Sequence, residues 1–210
     1  MDGMGGTHLI TDEATLVALY GEPVAAAIAK EVDYIHPHYR AMIEASPFLA
    51  MATSGPGGLD VTPRGDPAGQ FVVIENERTL LIPDRRGNNR VDSLRNLIHD
   101  PRIALLFLIP GVGETLRVNG RAEISVDPAL LARFPMQGKL PRSVIVVHVE
   151  SVYFQCPKAL VRSDLWNPDK RIPRKALPST GTILADISKG ATGGEEYDRA
   201  YPERLKQTIY

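Results

Sequence analysis

The fourteen residues PDRRGNNRVDSLRN, 83–96, hold four arginines, two aspartates and three asparagines directly after the apolar run Thr79-Leu80-Leu81-Ile82. Such a run reads as a strand, and strands usually leave through turns of about two to five residues. This exit is longer and basic. Gly87 can adopt a positive φ, the asparagines tolerate one, and Val91, Leu94 and Leu97 recur at helical spacing, so the stretch reads as strand, turn and helix start. Backbone amides at a helix start, surrounded by arginines, suit a dianion such as a phosphate. Arg85, Arg86 and Arg90, with amides near Asn88 and Asn89, are the candidate ligands. Taken alone, a solvated arginine-rich loop is the better explanation of the stretch, because exposed ion pairs contribute little.

Two further motifs shift that balance. DVTPRGDPAG, 60–69, puts Arg64 at the end of a strand that lies two strands before the basic turn, and its two prolines and two glycines make a rigid corner. The corner either holds Arg64 toward a ligand or is a stiff hairpin turn. ETLRVNGRAEI places Arg117 and Arg121 four apart in a strand, hence on one face, where they call for an anionic partner from the chain or from a ligand.

The elements that must position these residues can be read from periodicity. EATLVALY and PVAAAIAKEV read as helices separated by Gly21, with Thr11 or Asp12 as the first cap, and a third short helix runs through HYRAMIEA. From Phe48 strands alternate with turns: FLAMATS, LDVTPR, QFVVIE and TLLIP. A helix near Val91 to Ile98 ends at Asp100-Pro101. RIALLFLI then reads as a strand buried on both faces, TLRVNGRAEISV alternates, DPALLARF is a short capped helix, and SVIVVHVESVYFQ is a long strand. Six or so antiparallel strands with few helices predict a mainly β fold, a closed or nearly closed barrel that removes exposed edges. Beyond Trp166 the chain has little apolar periodicity and reads as extended or partly disordered.

At 210 residues, 43% hydrophobic and 23% charged, the chain has enough length for one substantial core. A net charge of -1 argues against a general nucleic-acid binder, so the arginines read as a site. The sole cysteine, Cys156, has no partner for an internal disulfide and reads as a small buried side chain in a protein of the reducing cytoplasm. No stretch reaches the roughly 18 to 20 apolar residues of a membrane span, and MDGMGGTHLI lacks the pattern of an export signal. His36 and His38 lack the company of a metal site and read as a helix-entry loop, and His148 reads as a surface or interface residue. CPKALVRSDLW reads either as an amphipathic cap on the barrel end or as a wall of a ligand cleft.

The strings PRGDPAG, LLIPDRRGNNRVDSLRN, LRVNGRA and CPKALVRSDLW, in this order and at these separations, resemble the flavin-binding split-barrel family typified by pyridoxamine 5'-phosphate oxidase. The likeness is to a bacterial branch of that family and covers roughly residues 47–169. It implies a six-stranded antiparallel split barrel of the FMN-binding type over 47–169. A helical segment, 1–46, would pack on this barrel, and a tail, 170–210, would follow it. It also implies a homodimer with FMN between the subunits and an FMN-dependent oxidoreductase reaction on a small-molecule substrate, with a nicotinamide or oxygen as redox partner. By the same resemblance Arg64 approaches the flavin, the backbone at Ile82 and Pro83 lies beside its ring, and Asn89 and Arg90 hold its phosphate, helped by Arg85, Arg86 and Asn88. Arg117 matches an arginine of the family's central strand, Thr115 stands where that strand has a glutamine, and Trp166 stands near the flavin edge. Arg64 or Arg117 would be the cation that favours the anionic reduced ring. Two other readings stay open: a flavin-binding protein without turnover, and a relative that binds haem or a deazaflavin.

Overall fold

A computed structural model describes residues 8–210 and divides the chain between Glu31 and Val32 into two compact units. The start of the export-signal reading, residues 1–7, lies outside the described residues. The division falls well before residue 46, the boundary expected from sequence. In the first unit, α1 (Glu13–Tyr20) begins at Asp12, whose carboxylate accepts the Thr15 amide at 2.8 Å, and ends at Gly21 with φ 74°; α2 (Ala25–Ala29) follows. Neither helix has a buried residue.

The second unit opens with α3 (Pro37–Ala45), which His36 caps by accepting the His38 amide at 3.2 Å, the helix-entry role read for HPH. One face of α3 sinks Tyr39 and Ile43 into the barrel core, so this helix belongs with the sheet. Seven strands follow, one more than the six expected: β1 (Phe48–Gly55), β2 (Gly58–Gly65), β3 (Val73–Asn76), β4 (Thr79–Asp84), β5 (Arg102–Leu108), β6 (Thr115–Ser125) and β7 (Ser143–Gln155). They form one antiparallel sheet in the order β2-β1-β5-β6-β7-β4-β3. The additional strand, β3, is a four-residue edge that pairs only with β4 and carries a register shift. The inner face buries Leu49, Met51, Leu105, Phe107, Leu116 and Val118 essentially completely. Between Asn119 and Gly120 the β6–β7 register slips by a bulge, and a Cβ on Gly120 would stand 2.1 Å from the His148 carbonyl oxygen, so only glycine fits the NG of LRVNGRA.

The strand β5 corrects one expectation. Ile103, Leu105 and Phe107 are buried, but Ala104, Leu106 and Leu108 on the opposite face are only partly covered within one chain. An unbroken apolar run here serves a core on one side and leaves an apolar face on the other. Cys156 is a second correction. It is exposed, because it lies past the last rung of β7 where Pro157 turns the chain into α6 (Lys158–Ser163).

The tail is a third correction: it is largely helical. After α4 (Asp92–His99) and α5 (Pro128–Leu131), and beyond α6, the chain forms α7 (Thr180–Ile187) and α8 (Gly194–Thr208). Composition masked them because tertiary contacts hold them. Asp198 of α8 accepts the Gly181 amide at 2.7 Å and the Ser179 hydroxyl, and Gly181 lies so close to Gly194 that a Cβ would meet its carbonyl oxygen at 2.2 Å. No helix of the described residues is long and apolar enough to cross a membrane.

Candidate functional site

The exit of β4 and the start of α4 form one wall of a cleft of about 950 Å³. Backbone geometry is unusual here: Asn89 has φ 62° and Val91 φ 50°, and a β-branched residue in the left-handed region is strained. Val91 is the N-cap of α4 and offers no side-chain acceptor, so the first-turn amides are left for another partner. The helix is pinned to the barrel. Asn96 donates to Thr53 Oγ1 at 3.1 Å, and Ser93 Oγ lies 3.2 Å from Thr62 Oγ1 on β2.

Six arginines line this cleft, and they divide by partner. Arg64 on β2 pairs with Asp84 at 2.6 Å, Arg85 with Asp66 at 2.8 Å, and Arg90 with Asp92 at 2.5 Å. Arg86, Arg142 and Arg204 have no carboxylate partner among the described residues; Arg142 donates instead to Asn89 Oδ1 at 2.9 Å. The charge balance therefore leaves a surplus of guanidinium around the basic turn. Arg64 also has a buried Nε without a hydrogen-bond partner among the described residues.

The sequence-derived residues separate accordingly. Arg64, Arg85, Arg86, Asn88, Asn89 and Arg90 all line the cleft. Ile82 and Pro83 do not: both are buried, Ile82 in the core, because β4 is covered on both faces. Arg117 sits on the outer face of the sheet, opposite Leu106, where its Nη1 donates to the Tyr153 hydroxyl at 2.7 Å and its guanidinium lies 5.3 Å from that ring's centre. Arg64, opposite the buried Leu49, faces inward, so the sheet separates the two arginines within one chain. Trp166 donates to the Val112 carbonyl at 2.8 Å and lies outside the cleft.

Arg85 is more strut than ligand. Its Nε holds Asp66 in the PRGDPAG corner and its Nη1 donates to the Phe134 carbonyl at 2.7 Å, so one guanidinium ties three segments together. Tyr210 joins the same pair: burial first, then its hydrogen bond to Asp66, push the phenol above its usual range.

Sequence reasoning missed the opposite wall. Arg142 reaches Asn89 because β4 pairs with β7 in a register that sets Asp84 against Ser143, so the residue before β7 stands beside the exit of β4. From α8 come Tyr197, Tyr201, Arg204, Leu205 and Thr208, which recur at spacings of four, three, one and three, one face of a helix. That spacing was the available signal. Ser179 above all, and then the Gly181 amide, hold the Asp198 carboxyl below its ordinary value. A depressed folded-state pKa means that the stabilisation is present above the unfolded value of about 4 and is lost as pH falls through the folded one. The protection of residues 179–208 against hydrogen exchange, measured relative to the intrinsic rate at each pH, should therefore fall on acidification below about pH 4, and Asp198→Asn should be poorly protected already at neutral pH. Equal protection in the variant would show that the contact does not hold α8.

Residues 35–156, which span α3 and all seven strands, match the family model described as pyridoxamine 5'-phosphate oxidase. The chain belongs to the pyridoxamine 5'-phosphate oxidase family. Among solved structures, HupZ of Group A Streptococcus is similar at 16% identity, over 58% of this chain and 94% of that one, with a TM-score of 0.48. A protein of Clostridium acetobutylicum related to general stress protein 26 is similar at 13% identity, over 57% and 86%, with a TM-score of 0.43. The FAD binding protein of Mycobacterium smegmatis is similar at 16% identity, over 59% and 97%, with a TM-score of 0.40. No protein of curated function matches the chain. Within the pyridoxamine 5'-phosphate oxidase family match lie the basic turn, Arg64 and Arg142, whereas α8 lies beyond its end. Among the described residues no group of three or more histidine, cysteine or acidic side chains could hold a metal ion.

Proposed function

We propose that this protein is an FMN-dependent oxidoreductase that works as a homodimer on a small organic substrate, with a nicotinamide or oxygen as its redox partner. The observation that carries the reading is the surplus of unpaired guanidinium at the uncapped start of α4, in a cleft near the upper end of the roughly 300–1,000 Å³ typical of small-molecule sites. A flavin phosphate carries close to two negative charges and fits that donor set. Arg86 and Arg142 supply charge-assisted hydrogen bonds, the first-turn amides of α4 supply neutral ones, and Asn89 is oriented by Arg142. Arg90 is 80% exposed and shared with Asp92, so it contributes less. The bound flavin would supply electron transfer. The chain's own part is to anchor the phosphate and, through Arg64 with its spare Nε, to offer a donor on the barrel side.

The dimer rests on the outer sheet face. Phe48, Leu59 and Val61 are 40%, 88% and 64% exposed, and they continue the half-covered row Ala104, Leu106 and Leu108. Obligate interfaces are large and apolar, and this face has that character. Arg117 lies on it, and a dimer through it is the route by which Arg117 could reach a flavin held by the partner subunit. Light scattering at micromolar concentration should give twice the 23.0 kDa chain mass. A monomer that retains FMN would contradict the dimer. Turnover is distinguished from storage by anaerobic mixing of FMN-loaded protein with NADPH and NADH: reduction faster than that of free FMN supports the enzyme, and the absence of any such acceleration supports a carrier.

A further inference from the structure

The helix α8 turns a face into the cleft that none of the described residues fills. Tyr201 and Leu205 on that face remain 39% and 45% exposed while lining the cavity. Arg204 lies beside two rings of the same helix, its guanidinium carbon 4.3 Å from the centre of Tyr197 and 5.4 Å from that of Tyr201, with the two ring centres 6.0 Å apart. Stacking on aromatic faces orients a planar guanidinium and leaves its edge, with its forked donors, for an anion. No carboxylate meets that edge, and neither phenol oxygen has a hydrogen-bond partner among the described residues. The α7–α8 lock through Asp198 holds this face in place.

We propose that α8 carries a second anion site, centred on Arg204 with the Tyr197 and Tyr201 phenols, and that it recognises the carboxylate or phosphate of a flat aromatic substrate. The site rests on the flavin reading for its role, since the substrate would lie between α8 and a flavin anchored at the basic turn. Two features support a separate site. The cleft offers more unpaired arginine than one phosphate needs, and Arg204 comes from the wall opposite the turn, on a helix beyond the region matched by the family model. Flat rings can lie against Tyr201 and Leu205, and the guanidinium fork takes either a carboxylate or a phosphate in bidentate geometry.

The test is calorimetric titration of full-length, FMN-saturated protein with benzoate and with phenyl phosphate, using benzyl alcohol as the uncharged control. The expected result is that at least one anion binds and benzyl alcohol does not. Arg204→Gln should weaken anion binding at least tenfold while changing FMN affinity much less, and Arg204→Lys, which keeps the charge and loses the fork, should fall between. Preference for phenyl phosphate or for benzoate identifies the oxyanion within the proposed class. The inference is overturned if neither anion binds, if Arg204→Gln binds them as well as the wild type, or if its FMN affinity falls as far as its anion affinity, which would place Arg204 in the flavin phosphate site. Should the protein bind no FMN, the flavin reading fails by itself. The same titration on unloaded wild type and Arg204→Gln then still decides whether α8 holds an anion.

Discussion

Asp66→Ala is expected to lower the free energy of unfolding by about 3 kcal/mol, the lower end of the cost of removing one partner from a buried ion pair. The Asp66 side chain is only 3% exposed and Arg85 15% exposed, so the guanidinium left behind cannot rehydrate fully. The lower end is chosen because Arg85 keeps its bond to the Phe134 carbonyl and some contact with water. Removal also relieves Tyr210, whose phenol the Asp66 carboxylate helps hold above its usual range. Urea denaturation with an unchanged slope would report the loss; a change below about 1 kcal/mol would mean that the pair behaves as a surface bridge. Because Arg85 sits beside the turn proposed to hold the flavin phosphate, flavin affinity should fall as well, but as a consequence of loosening.

Replacing Arg86 and Arg142 together by alanine is expected to weaken FMN binding about 100-fold. Each charge-assisted hydrogen bond contributes on the order of 1.5 kcal/mol, and about 1.4 kcal/mol corresponds to a tenfold change. The effect should be confined to affinity for the phosphate. Riboflavin, which lacks it, should bind the double variant and the wild type alike, and high salt should reduce the difference only in part because the cleft is screened less than open surface. Arg90→Ala should cost less than either single replacement, at most about fivefold, since its charge is exposed and shared with Asp92. If fluorescence titration showed Arg90→Ala alone to be as damaging as the double variant, the anchoring role would pass from Arg142 to Arg90.

What could be read from the sequence was local. PDRRGNNRVDSLRN carries its turn chemistry and helix start within fourteen residues, and the structure places Arg86, Asn88, Asn89 and Arg90 together at the mouth of α4. The strands of the barrel were legible because each alternates or is apolar over its own length. Partner choice was not legible. Nothing beside Arg64 or Arg85 in the chain says that Asp84 and Asp66 will neutralise them, and the field expected from Arg64 is therefore largely matched within the protein. Arg142 became a site residue through the register of β4 on β7, a long-range fact. The tail helices were hidden for a different reason. Gly193, Gly194 and Pro202 disfavour a helix locally, and Asp198 with Gly181 supplies the tertiary contact that compensates.

The most direct measurement of the central claim is parallel titration of the purified chain with FMN and riboflavin, followed by flavin fluorescence. The account predicts saturable binding of FMN at least about thirtyfold tighter than that of riboflavin, equivalent to about 2 kcal/mol of phosphate recognition. Equal curves for the two flavins, or no binding of either, would contradict it.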